Sequence, residues 1–360
     1  MNRETPIVIG GGPAGAAAAI CLLKKGARAI VYERQAEPGD ALCGGFLSWK
    51  TLRRLERLGV GRGDLGGQPV NRLRLTAGEQ EWSCRLPGAG MGVSRRRLDG
   101  LLLDRARALG ADVRHATVRF ENGNFCLAGG NTLPGGTVFL ATGKHELRGL
   151  PRPHAEAGND PFLGLRVRFQ PSAPLAGELS GVIEMHMFPG GYAGIVIHED
   201  GSANLCMAVR KSRLAEAGGD PCELFQQLAR HRGPLGERAA ALPVHPAFDA
   251  IGHIPYGWCA REGRMGVYRL GDQAGVIASL AGEGIGIALA SAEMAVRYWR
   301  NRGPRGAYAF QRALSARLRP RLALAGMIAG LGADGRCAPW LGYLAMVPGL
   351  AGLMARATRV

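Results

Sequence analysis

The chain has 360 residues, 46% hydrophobic and 21% charged, a globular composition long enough for two interlocked domains at about 100–200 residues each. Its formal net charge is +16, but lysine occurs only at positions 24, 25, 50, 144 and 211, and arginine is scattered through every segment. With no basic run interleaved with aromatics, nucleic-acid binding is not expected, and only a general attraction to acidic lipid head groups stays open.

The eight cysteines form no CxxC pair and no Cys/His cluster. Neither a disulfide framework nor a metal site is therefore expected. No charge-poor apolar run precedes residue 6, so no signal peptide is read and the expected compartment is the cytoplasm.

Pro6-Ile7-Val8-Ile9 predicts a buried parallel strand. Gly10-x-Gly12-Pro13-Ala14-Gly15 turns it into a helix whose first N–H groups face a pyrophosphate. Gly10 permits the tight turn, Gly12 lets a phosphate approach the backbone, and Gly15 lets the helix pack on the strand. Ala29 to Tyr32 predicts a second strand, ended by Glu33 with Arg34 beside it. A carboxylate there accepts ribose hydroxyls and favours the free 2′-hydroxyl of FAD or NAD over a 2′-phosphate.

Pro38 to Ser48 is a glycine-rich loop containing Cys43-Gly44-Gly45. Trp49, Leu52, Leu55 and Leu58 then recur at helical spacing, and Gly59 stops that helix. Residues 68 to 92 read as short strands and turns. Ser94-Arg95-Arg96-Arg97-Leu98-Asp99 opens a helix ended by Gly110, and strands are expected at 112–118 and 137–140, the latter running into Ala141-Thr142-Gly143.

From about residue 160 the apolar period becomes two. Leu165, Val167 and Phe169 alternate with Arg166 and Arg168; Ile183, Met185 and Met187 alternate with Glu184 and His186; Leu205, Met207 and Val209 follow. The pattern predicts an antiparallel sheet with one solvent face, on which His186 is a surface residue, and one apolar face that walls a pocket. Asp200-Gly201 predicts a hairpin. The parallel pattern resumes at Met265 to Leu270. Cys337 to Ala355 carries no charge but is broken by Pro348-Gly349, which predicts two short helices packed over the sheet in preference to an interfacial anchor or a membrane span.

Val267 to Gly275 is a strand ending in Gly271-Asp272, and Gly282-Glu283-Gly284-Ile285 opens a small-residue helix in which Glu283 reads as a cap. These motifs resemble the flavoprotein superfamily of p-hydroxybenzoate hydroxylase and geranylgeranyl reductase. The Cys43-Gly44-Gly45 loop and Phe188 to Gly194 are similar to its geranylgeranyl reductase-like branch. The resemblance implies that Asp272 bonds the ribityl chain of FAD, that the backbone at Gly282, Gly284 and Ile285 faces the flavin pyrimidine, and that Arg95 contacts FAD. Two departures stand out: Thr142-Gly143 replaces Asp-Gly, and Ser279 replaces a proline that helps place oxygen in hydroxylases.

The expected fold is therefore α/β: a Rossmann-like FAD-binding domain with an inserted antiparallel substrate domain and a C-terminal helical segment. The expected boundaries are 1–67 with 93–158 and 260–300 for the FAD-binding domain, 68–92 with 159–259 for the substrate domain, and 301–360 for the tail. No second nucleotide fold is read, so NAD(P)H is expected only as a transient reductant.

Cys43 and Tyr192 are the catalytic candidates. The resemblance implies an FAD-dependent oxidoreductase acting on an apolar small molecule, with hydroxylation of an aromatic or polyketide-like ring as the leading activity. Reduction of carbon–carbon double bonds in an isoprenoid or lipid is the alternative, and a non-catalytic flavin-binding or electron-carrying protein the second alternative. Peripheral membrane contact is the one macromolecular association anticipated.

Overall fold

The computed structural model describes residues 5–134, 136–152, 158–243, 246–347 and 349–359. Five parallel strands, Ile7–Ile9 (β1), Ile30–Glu33 (β2), Asp112–His115 (β6), Val138–Leu140 (β9) and Val267–Arg269 (β15), run in the order β15-β9-β1-β2-β6. Strands β1, β9 and β15 are buried throughout, as short apolar runs in a helix-covered parallel sheet are. Helix α1 (Pro13–Leu23) leaves the end of β1 with Ala16, Ala17, Ala18 and Ala19 fully buried. These small side chains let it lie close against α4 (Arg95–Ala108) and α9 (Gly284–Arg302).

The second sheet has eight strands: Phe46–Leu47 (β3), Gln68–Ala77 (β4), Gln80–Gly92 (β5), Phe162–Phe169 (β10), Val182–Phe188 (β11), Gly191–Ile197 (β12), Ala203–Arg210 (β13) and Asp249–Ile254 (β14), in the order β14-β10-β13-β12-β11-β4-β5-β3. Asp200-Gly201 does turn β12 into β13. Residues 68 to 92 form two long strands, not several short ones. The glycines of β5 that blurred the pattern mark close packing: a Cβ at Gly88 would meet Trp49 at 2.8 Å, one at Gly90 would meet Phe46 at 2.5 Å, and one at Gly92 the Ile197 carbonyl at 2.0 Å. The strand expected at 112–118 stops at His115, and Val118–Glu121 (β7) instead pairs with Asn124–Leu127 (β8) as a separate hairpin.

Strands β10 to β13 of the eight-stranded sheet are buried on both faces, which corrects the solvent face read from their polar residues. Helices α5 (Ala173–Leu179), α6 (Lys211–Glu216), α7 (Pro221–Ala229) and α8 (Pro234–Ala240) follow its strands. Leu165, Val167, Phe169, Leu205 and Val209 pack with Leu175 of α5 and with Leu224 and Phe225 of α7. They therefore line the helix side, not the pocket. His186 is likewise not a surface residue; it is fully buried on that side.

The His186 ring bridges the Thr76 hydroxyl at 2.7 Å and Glu184 at 2.9 Å, while Arg238 of α8 and Arg74 of β4 donate to the same carboxylate. Burial alone would raise the pKa of Glu184, but His186 and Arg238 hold it well below the usual carboxylate range. Charged residues at alternate positions were compatible with either solvent or a paired network. Arg238, 54 residues from Glu184 in the chain, decides for the network.

His198, just after β12, is 1% exposed, and a Cβ on Gly45 would lie 2.0 Å from its Nε2. Burial and the Arg168 charge push its pKa down to about 4 against the opposing pull of Glu199, Asp40 and Asp200. Because the unfolded chain protonates this residue near pH 6.5 and the folded chain does not, its neutral form favours folding above pH 6.5. That contribution is lost as the pH falls towards 4 and is constant below it. Urea unfolding of the wild type is expected to weaken over this window, with a limiting slope of about 1.4 kcal/mol per pH unit from this residue. A His198→Gln variant should show a shallower dependence, and an identical slope in the two proteins would refute the assignment.

The tail is helical, from α10 (Gly306–Ala333) through α11 (Ala338–Met346) to α12 (Leu350–Thr358). A four-residue helix, α3 (Arg62–Leu65), follows α2 (Trp49–Leu58). Of the expected Pro348-Gly349 break, Pro348 lies outside the described residues, and Gly349 has φ +79°, a left-handed conformation that separates α11 from α12. Both helices pack on the second sheet, with Tyr343 edge-on to Trp82 at 5.3 Å. Among the described residues no helix is long and apolar enough to cross a membrane.

Candidate active site

A cavity of about 870 Å³ runs from the β1–α1 turn, between the two sheets, to the C-terminal helices. Every residue that the sequence assigned to the cofactor lines it, except Gly15. Gly10 has φ +101°, and a Cβ there would lie 2.4 Å from the Ala141 carbonyl. A Cβ on Gly15 would lie 1.8 Å from the Gly10 carbonyl, so this glycine serves packing under the turn. Gly12 differs. Its missing Cβ has the Arg95 guanidinium as nearest neighbour, at 3.6 Å, and opens on the cavity. Glu33 stands at the end of β2 and accepts from the backbone N–H of Gly11 at 2.6 Å and of Gln35 at 3.0 Å, which fixes its carboxylate beside the turn.

Arg95 opens α4, whose N-terminus is fixed twice. Ser94 caps it by accepting from the Arg97 N–H, and Ser94 itself donates to Glu199 from both backbone and side chain. The Arg95 guanidinium donates to both oxygens of Asp99, at 2.8 and 2.6 Å. It is half-buried and held by both oxygens of Asp99, so its geometry is set before any ligand arrives. Asp40 accepts from the Arg95 N–H and pairs with Arg166 and Arg168. Despite its burial, those two guanidinium groups keep its pKa below the ordinary range. The supposed solvent face of β10 thus anchors the loop that carries Cys43, Gly44 and Gly45.

Asp272 sits on a single 3-10 turn at Gly271–Gln273 after β15. Gly271 donates to the Ser291 hydroxyl of α9, and the Gln273 amide donates to the carbonyls of Gly143 and His145. The Thr142-Gly143 loop is thereby tied to the Asp272 turn. Gly44, Gly143 and Gly284 have no atom within 4 Å of where a Cβ would stand, leaving bare backbone along the cavity. The lining suits an extended dinucleotide, for which Glu33 would take the ribose, the β1–α1 turn the pyrophosphate, Arg95 and Asp272 the linker, and the first N–H groups of α9 the ring system. The positive end of α9 suits the negative charge of a reduced flavin. Asp272→Ala is expected to weaken FAD by about 1.5–3 kcal/mol, the scale of a hydrogen bond to a charged group. Unchanged affinity in an equilibrium titration would remove Asp272 from the site.

Glu283 stands at the N-cap of α9, where its carbonyl accepts from the Ile287 N–H, but its side chain makes no capping hydrogen bond. Its buried carboxylate accepts from the Ser48 hydroxyl at 2.7 Å and pairs with Arg359 at 3.4 Å. Arg359 stacks on Trp49 at 4.2 Å and lines the cavity, while its carbonyl accepts from Arg321 of α10. The end of the chain is thus part of the cavity wall. Nothing in the uncharged run before it signals that contact.

Beyond the α9 end the cavity is apolar. Strand register explains its wall: Met185, Gly194, Cys206 and Arg166 stand in one row across the sheet, and Met187, Tyr192, Ala208 and Gly164 in another. Both rows face away from the helix-side core. Ile328, Leu341 and Ala345 of α10 and α11 close the opposite side.

Between these walls the Tyr192 hydroxyl lies 2.9 Å from the Ser279 Oγ, and the Tyr256 hydroxyl donates to the same Oγ at 3.0 Å. Burial raises both phenol pKa values, so each remains protonated at neutral pH. Ser279 stands where the family has proline, and it joins two tyrosines separated by 64 residues. The sequence pattern singled out only Tyr192; Tyr256 was missed, because it follows Pro255 in a loop with no periodic signal. Cys43 lines the cavity with its sulfur 3.5 Å from the Gly45 N–H. Across the cavity, burial pushes the Cys206 thiol up to about 12.

Residues 4–122 match the family model described as FAD binding domain. The fold as a whole is α/β, a Rossmann-like parallel sheet with a further, largely antiparallel sheet and a C-terminal helical segment. No curated protein sequence matches the chain.

Among solved structures, Pseudomonas aeruginosa PqsL, described as a probable FAD-dependent monooxygenase, aligns over 94% of this chain and 99% of its own, with 18% identity and a TM-score of 0.72. A geranylgeranyl bacteriochlorophyll reductase-like protein from Thermoplasma acidophilum aligns over 98% and 96%, with 18% identity and a TM-score of 0.75. The peptidyl tryptophan dihydroxylase QhpG aligns over 92% and 76%, with 22% identity and a TM-score of 0.68. At these identities the likeness is one of fold.

Proposed function

We propose that the chain is an FAD-dependent monooxygenase that uses NAD(P)H and dioxygen to hydroxylate an apolar small molecule with an aromatic or polyketide-like ring. The observation that carries this reading is the Tyr192–Ser279–Tyr256 hydroxyl cluster, set where the α9 end of the cavity meets its apolar wall. FAD held by the β1–α1 turn, Glu33, Arg95, Asp272 and the α9 start would supply the redox chemistry, the oxidation of NAD(P)H coupled to dioxygen. One oxygen atom enters the substrate in place of a ring hydrogen, and the other leaves as water. The protein's share is orientation and exclusion. The hydroxyl cluster holds an oxygen of the substrate ring, Met185 and Met187 pack its apolar body, and α10 and α11 keep out water. Structural likeness to PqsL and QhpG supports the same reaction class.

A second reading is reduction of a carbon–carbon double bond in an isoprenoid or other lipid. Cys43 in the lining and the likeness to the reductase-like T. acidophilum protein favour it. Oxygen uptake separates the two. For hydroxylation, oxygen consumption should equal product formation, and isotopically labelled dioxygen should place one labelled atom in the product. Turnover that proceeds undiminished without oxygen would overturn the first reading.

A further inference from the structure

We propose that the outer face of the C-terminal helices docks on the surface of an anionic lipid bilayer. Among the described residues, ten large hydrophobic side chains are exposed, and eight of these fall between Met327 and Leu353. On α11 the inward positions Ala338, Leu341 and Gly342 are buried, whereas Trp340, Leu344 and Met346, with Val347 just past its end, are exposed, and Tyr343 is half exposed where its ring meets Trp82. This helix is therefore apolar all round, with Trp340 68% exposed. A water-facing helix puts polar residues on its outer side, and a contiguous apolar surface of this kind marks an interaction site.

Charge decides what covers it. Residues 300–360 hold ten arginines and a single acid, Asp334, so about a sixth of the chain carries +9 of its +16. Arg312 and Arg319 share one side of α10 with Ala323, Met327 and Leu331, all exposed, so that the stripe passes from basic to apolar along the helix. Arg336 and Arg356, also exposed, flank α11 on either side in the chain. Tryptophan and tyrosine favour the head-group level of a bilayer, and arginines beside them favour acidic head groups. No described helix could span the membrane, so the tail lies on it. Leu341 and Ala345, on the inward side of α11, line the cavity. An apolar substrate dissolved in the bilayer would thus reach the site through one helix layer, a consequence that rests on the function proposed above; the docking does not.

The test is flotation of the full-length, FAD-loaded protein with vesicles of phosphatidylglycerol and phosphatidylcholine, and with phosphatidylcholine alone. Binding should be at least tenfold tighter to the anionic vesicles, and a Trp340→Glu, Leu344→Glu double variant should lose at least tenfold with FAD content unchanged. Both positions are exposed, so folding should survive. Should that variant nevertheless misfold, quenching of wild-type tryptophan fluorescence by brominated lipid reads the same contact, and unquenched fluorescence would count against it. Absence of binding to either vesicle would overturn the proposal, as would binding that the variant leaves intact. A dimer in solution that the variant dissociates, without vesicle binding, would assign the face to a second copy of the chain and equally overturn it.

Discussion

Gly12→Val is expected to give a folded protein that purifies without flavin, whereas Gly15→Val is expected not to fold. The two glycines lie three residues apart in one motif, and their surroundings differ. At Gly15 a Cβ would sit 1.8 Å from the backbone carbonyl of Gly10 and 3.0 Å from Val8. Neither can yield without separating α1 from β1. At Gly12 a Cβ has 3.6 Å of clearance, so valine costs the apoprotein little, but its methyl groups project into the space left for a pyrophosphate. Circular dichroism and flavin absorbance of the two variants read the contrast. A yellow Gly12→Val protein would displace the phosphate site from this turn.

The second large effect is on turnover. Replacing both Tyr192 and Tyr256 by phenylalanine keeps the ring volumes and leaves Ser279 as the one hydroxyl of the cluster. If the phenols orient a substrate oxygen and donate to it, kcat should fall by about 10²-fold, the scale of a positioned proton donor. FAD affinity should not change, because neither tyrosine is among the residues assigned to the cofactor. If the tyrosines only pack, the double variant should retain kcat within a few-fold. A rate loss accompanied by flavin loss would instead assign them to the cofactor.

What could be read from the sequence was local. The β1–α1 turn and Glu33 were legible because a phosphate and a ribose each ask for a residue type at fixed spacing, whereas the Gly271-Asp272 turn and the α9 start were read through the family resemblance. The Ser94 start of α4 and the Gly59 stop of α2 were legible because helix ends favour particular residue types.

What depended on distant partners was not. Glu184 and His186 looked like a wet strand face until Arg238 arrived from α8. Leu165 and Val167 looked like pocket wall, yet the pairing of β10 with β13 turns them to the helices and gives the pocket side to Arg166 and Gly164. Tyr256 and Arg359 carried no periodic or motif signal at all, and only tertiary packing brings them to the cavity.

The most direct measurement is the flavin content of the purified chain, followed by titration of the apoprotein with FAD. One FAD per chain, released intact on denaturation and quenched in fluorescence on rebinding, is the predicted result. A colourless protein whose apo form leaves FAD fluorescence unchanged would contradict the assignment of the cavity and the chemistry proposed for it.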